Sequence, residues 1–254
     1  MKHHFGKFLI LNSQFSILLA ALTFASCSIY HPQSVDIPLI NHSGDTRVDA
    51  SLGMSWWVAP STFTVNTTIS HGFNDWFSGQ LHANYGGSNY YLQAAPGAYY
   101  NLGDHAVVEG FAGVGIGGAW SDEVESNSES ANSNKFAYSG SFVIPYAQAN
   151  IGWHNLTGAH IDLALGFKVG AYMPNFNYHE LDGNGDKIAS TEYDYTTTNL
   201  LVEPQLLFRI GGEHFKVNLR AGFAWLNDIY ADNSKSRNFY SDLTSVSAGF
   251  TFFF

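Results

Sequence analysis

Seven ionisable residues recur in one phase of their local patterns, so that a single enclosed space could hold them all. Glu109, Asp162 and Glu203 bring negative charge; Lys168, Arg209, Lys216 and Arg220 bring positive charge. Gln80, His82, Gln93, Gln148 and Asn150 add hydrogen-bonding groups on the same face. Such a set could move protons, pass ions, or neutralise itself as a packed polar interior. Hydrolysis would need a nucleophile, a base and an orienting group together. His160 and Asp162 share a face, but no serine stands beside them. The expectation is therefore a chain that is not an enzyme, with no catalytic set, no metal site and no cofactor. Its polar network acts as an interior plug, with a narrow porin-like channel as the alternative and a rim-located lipid or peptide hydrolase behind it.

Other chemistry-bearing residues are read as structural. His71, His105, His154 and His214 fall at or near expected turns, and His179 stands alone in a loop. Gly113-Val114-Gly115-Ile116-Gly117-Gly118 has the look of a dinucleotide loop, yet no helix or βαβ unit follows it. Inward glycines at every second position instead make room for bulky neighbours. Asp182-Gly183-Asn184-Gly185-Asp186 imitates a calcium loop, but Lys187 stands where glycine is needed and Glu192 falls one place early.

The elements that must position these residues are strands. Val48, Ala50 and Leu52 alternate with Arg47, Asp49 and Ser51; Phe63, Val65, Thr67 and Ile69 alternate with Thr64, Asn66 and Thr68. The same period of two runs through 77–85, 90–100, 106–120, 136–153, 161–173, 195–210, 215–226 and 240–254. One face is aliphatic and aromatic; the other holds the ionisable set. The sum is about ten strands, an even number suited to an antiparallel up-and-down transmembrane β-barrel.

The connections agree. Asn101–Asp104, Asn155–Gly158 and Gly211–His214 are tight turns, whereas Ser121–Asn134, Pro174–Asp194 and Asn227–Asn238 are long and polar. Short turns on the periplasmic side and long loops outside characterise such barrels, which predicts that the N- and C-termini are both periplasmic. Loops such as the acidic stretch Asp122 to Glu129 would then face outward as binding elements.

Composition narrows the class. Charged residues are 13% and aromatic residues 16% of the chain, against about 25% charged in an ordinary soluble protein. Mean hydropathy is −0.07, too low for a bundle of apolar helices, each of which needs about 20 apolar residues. Net charge is −10 with no basic block, which argues against nucleic acid as a partner. Lys2 and Lys7 precede a short apolar run, Phe15 to Phe24, that ends in small residues before Cys27, the only cysteine. This predicts a removed signal peptide over 1–26, a lipidated periplasmic tether over 27–45 with its anchor on Cys27, and a barrel over 46–254.

The chain ends Val246, Ala248, Phe250, Phe252, Phe254 on one face, which resembles the terminal strand read by the outer-membrane barrel-assembly machinery. The Pro-containing stretch Pro32 to Leu39, the run Glu109-Gly110-Phe111-Ala112-Gly113-Val114-Gly115, and Val202-Glu203-Pro204-Gln205 before Arg209 resemble small outer-membrane β-barrel lipoproteins of the Bacteroidota. That resemblance implies a fold and a location in the bacterial outer membrane, but no common activity. The partners it implies are outer-membrane lipid and a possible membrane-protein complex.

Overall fold

A computed structural model describes residues 28–30, 35–56, 62–125, 135–156, 160–182, 184–227, 240–241 and 244–254. In chain order the strands are β1 (Ser28–Tyr30), β2 (Thr46–Trp56), β3 (Thr62–Gly72), β4 (Phe77–Tyr85), β5 (Asn89–Leu102), β6 (Ala106–Glu125) and β7 (Lys135–Leu156). They continue as β8 (Ile161–Leu181), β9 (Tyr193–Tyr195), β10 (Asn199–Gly211), β11 (Phe215–Phe223), β12 (Trp225–Leu226), β13 (Tyr240–Ser241) and β14 (Thr244–Phe253). Neighbouring long strands pair antiparallel from β2 to β8, β8 pairs with β10, and the circuit returns through β11 and β14 to β2. Ten strands thus close a barrel, and no sheet edge is left in its wall. No helix among the described residues is long and apolar enough to cross a membrane.

The period-two pattern sets which side chains face out. Leu81, Leu92, Val114, Ile116, Leu165, Leu206 and Leu219 form an exposed aliphatic belt. Aromatic residues flank it at both heights: Trp76, Tyr100, Trp153, Phe215 and Phe252 at the end with the tight turns, and Tyr85, Tyr90, Trp120, Phe223 and Trp225 at the other, loop end. Tyr90 and Tyr100 lie on the same strand, β5. Ten positions at about 3.3 Å each, tilted by about 40°, span roughly 25 Å.

Two expectations need correction. The stretches expected to be loops at 121–134 and 174–194 are partly strand, because β6 runs on to Glu125 and β8 to Leu181. Strands β6, β7 and β8 have 20, 22 and 21 residues, about twice the 9–11 that cross a bilayer. Above the belt the alternation continues with its polarity exchanged. Ser139, Ser141 and Asn175 face out, while Phe136, Tyr138, Phe142, Phe176 and Tyr178 are buried inside. A polar outward face imitates a loop in a sequence; here it marks strands that have left the apolar belt.

The second correction concerns the tether. Val35, Asp36, Ile37, Pro38, Leu39 and Ile40 are all buried, inside the barrel rather than beneath it. At one end of this segment Ile40 lies by Gly72, where β3 reaches the turn end. At the other, β1 pairs in parallel with β13, just before β14 starts at the loop end. The chain therefore enters at the loop end, descends the lumen, and emerges at the turn end to begin β2. Phe254 meets Thr46 there through N–H···O contacts of 2.9 and 3.1 Å. Ser28 and Phe254 stand at opposite ends of the barrel, not at one.

Candidate functional site

All seven ionisable residues singled out by the sequence face the lumen, and none is more than 6% exposed. They form separate groups rather than one network. Near the turn end the Lys216 ammonium donates to Asp162 at 2.6 Å, and the Asn155 amide donates to the same oxygen at 3.2 Å. Higher up, Lys168 donates to Gln93 at 2.7 Å and lies 4.2 Å from the Tyr146 ring centre. Glu203, its register neighbour on β10, accepts a hydrogen bond from the Tyr30 hydroxyl at 2.7 Å. Glu109 accepts from Asn150 at 3.0 Å and from the Ile40 amide at 2.9 Å.

Arg209 and Arg220 belong to a third group whose other members are Arg47, Asp49 and Asp36. Arg47 bridges the carboxylates of Asp36 and Asp49. Arg220 reaches Asp49 at 3.1 Å and Asp36 at 3.4 Å, and Arg209 lies 3.9 Å from Asp49. Ser70 donates to Asp36 at 3.2 Å, and Thr251 and Asn218 donate to Asp49. An unpaired charge here would be prohibitively costly, and each carboxylate of the group has at least two guanidinium partners.

The barrel wall also serves the segment's main chain. Gln148 and Asn150 donate to the Asp36 carbonyl. Arg47 and Arg209 donate to the Ile37 carbonyl, the latter at 2.6 Å, and Arg209 reaches the Pro38 carbonyl at 3.3 Å. Residues 35–40 form no strand, so side chains from the wall supply what a neighbouring strand would otherwise provide. Leu39 has φ of 58°, a left-handed conformation that a leucine adopts only where its surroundings hold it.

Apolar contact completes the fit. Val35, Ile37, Leu39 and Ile40 cluster with Val107, Ala164 and Leu207 inside the barrel. Inward glycines make sockets for them. A Cβ on Gly166 would lie 2.7 Å from a Val35 methyl and 2.9 Å from Ile37, and one on Gly152 would lie 2.5 Å from Leu39. Gly166→Val should therefore strain the seat by about 1–3 kcal/mol, the usual cost of overpacking. Limited proteolysis should cut within 28–40 faster than in the parent, whereas Leu163→Val on the outer face should leave the cutting rate unchanged.

In the sequence Asp36 falls within the expected tether, and Arg47 and Asp49 are polar positions of an alternating strand. A signal was present: apolar Val107, Ala164 and Leu207, with Gly152 and Gly166, interrupt a polar inner face and require an apolar partner within the lumen.

The remaining candidates resolve into structure. Gly115 and Gly117 leave room for Tyr91 and Phe142, whose rings occupy the space where Cβ atoms would stand, at 2.0 and 2.2 Å. The Asp182 carboxylate accepts from the amides of Asn184 and Asp186 at 2.8 and 2.9 Å, closing a turn on itself. Calorimetric titration with calcium should accordingly give no binding heat. His82 meets Thr68 at 2.9 Å, and His105 and His154 stack edge to face at 6.0 Å. His71 meets Thr46 at 2.8 Å. Among the described residues no group of three or more His, Cys, Asp or Glu is placed to hold a metal ion. Cys27 and residues 126–129 of the acidic stretch lie outside the described residues.

No family model matches the chain, and no curated protein does. Among solved structures it is similar to the translocator domain of autotransporter NalP from Neisseria meningitidis, at 10% identity and a TM-score of 0.42. The similarity covers 85% of this chain and 90% of that one.

Proposed function

We propose that the chain is a non-enzymatic β-barrel of the bacterial outer membrane, sealed by its own N-terminal segment, with a structural or surface-interaction role. The observation that carries this is the inverted surface: an exposed aliphatic belt between two aromatic girdles, around an interior of paired charges. In water such a belt would drive aggregation; in a bilayer it is the solvent-matching surface. The buried segment 35–40 supports a closed lumen over a porin-like channel. Strands β6 to β8 lift a broad wall beyond the belt, where a rigid scaffold can present binding loops.

The wild-type protein in a planar bilayer should give a flat current baseline; steady single-channel steps would overturn the sealed barrel. Orientation is tested on intact cells. An epitope inserted at Asn184–Asp186 should be accessible to antibody, and one at Gly212–His214 should not.

Lipidation of Cys27 belongs to the same proposal. Ser28, its covalent neighbour, lies at the loop end, so acyl chains on Cys27 would enter the leaflet on that side. Mass spectrometry of the mature N-terminus should show a diacylated cysteine, and an unmodified Cys27 would remove this part.

A further inference from the structure

We propose that the barrel is an anion-selective pore held shut by residues 35–40, in which the Asp36 carboxylate occupies an arginine site open to other anions once the segment leaves. This rests on the sealed outer-membrane barrel proposed above and gives that seal a function. Arg47 and Arg220 contact Asp36 directly, and Arg209 holds the adjoining carbonyls of Ile37 and Pro38. All three guanidiniums belong to wall strands β2, β10 and β11, whereas Asp36 belongs to the segment. Removing the segment leaves three guanidiniums facing Asp49, with Glu109 toward the turn end. The other lumen charges are matched: Lys216 with Asp162, and Lys168 beside Glu203. A low-dielectric passage with surplus positive charge at the level of these arginines concentrates anions and repels cations.

The segment is built to be released rather than woven in. It has no strand pairing from Val35 to Ile40, and Leu39 is held in a strained conformation. Moving residues 35–40 off the arginines breaks no pairing between wall strands.

The test is single-channel recording of the full chain in planar bilayers under a potassium chloride gradient. Asp36→Arg, which sets a fourth guanidinium among the three, should raise open probability at least about tenfold, the factor that loss of one charge-assisted hydrogen bond carries. The reversal potential should report chloride as more permeant than potassium, and adding Arg209→Glu should reduce or invert that preference. A folded, heat-modifiable Asp36→Arg that stays shut would overturn the release, and a cation preference would overturn the arginine assignment. If Asp36→Arg does not fold, the near-isosteric Asp36→Asn decides on the same two readings. Steady wild-type current would instead refute the seal, while its ion preference would still judge the arginine site.

Discussion

Arg47→Met is expected to lower the stability of the folded barrel by about 3–5 kcal/mol, because it leaves two buried carboxylates without their bridging cation. Arg47 is 1% exposed and bonds Asp36, Asp49 and the Ile37 carbonyl together. Its loss therefore unsettles the wall and the segment at once. Arg220 and Arg209 remain, but their contacts to these carboxylates are 3.1 Å or longer. Urea titration in lipid vesicles, followed by tryptophan fluorescence, reads the change. Adding Asp36→Asn to Arg47→Met should recover part of the loss, since one of the stranded charges is then gone. An additive double variant would mean that the two residues are not coupled.

Leu165→Arg should cost about 2–4 kcal/mol, the penalty for a cation at the lipid-facing midplane of a barrel. Leu165 is 49% exposed and lies between the outward Leu163 and Phe167, opposite Ile151 on β7 and Leu206 on β10. In a water-soluble barrel the same change would be nearly neutral, because an exposed leucine carries little folding energy there. The sign and size of this one effect thus separate a membrane surface from an aqueous one. Equilibrium unfolding from vesicles measures it, with Leu102→Arg, beside the turn-end girdle, as the variant expected to lose far less.

The barrel wall was largely legible because its period of two is set by local geometry. Leu163, Leu165, Phe167 and Val169 face out for the same reason that Asp162 and Lys168 face in. Strand ends were less legible. Asn175 and Asn177 turn polar where β8 leaves the belt, so residue type changed while the backbone did not. The occupied lumen was hidden for another reason. Residues 35–40 have no periodicity of their own, and their polar partners come from six different wall strands. The pairing Asp162–Lys216 crosses from β8 to β11, and Asp36–Arg220 joins residues from opposite parts of the chain. Such contacts depend on closure of the barrel, which no local pattern encodes. The seven inward charges could be named, but not the segment that organises three of the arginines.

The most direct test of the central claim, that the N-terminal segment runs inside the barrel, is a disulfide trap. Val35→Cys and Gly166→Cys would be combined in a Cys27→Ser chain, since the Gly166 Cβ direction points at Val35 from 2.7 Å. Oxidation of the folded protein should join the two within one chain, and Val35→Cys alone should resist a bulky maleimide until the barrel is unfolded. A folded barrel that forms no bridge, and whose Val35→Cys thiol reacts at once, would place the segment outside the lumen and contradict the account.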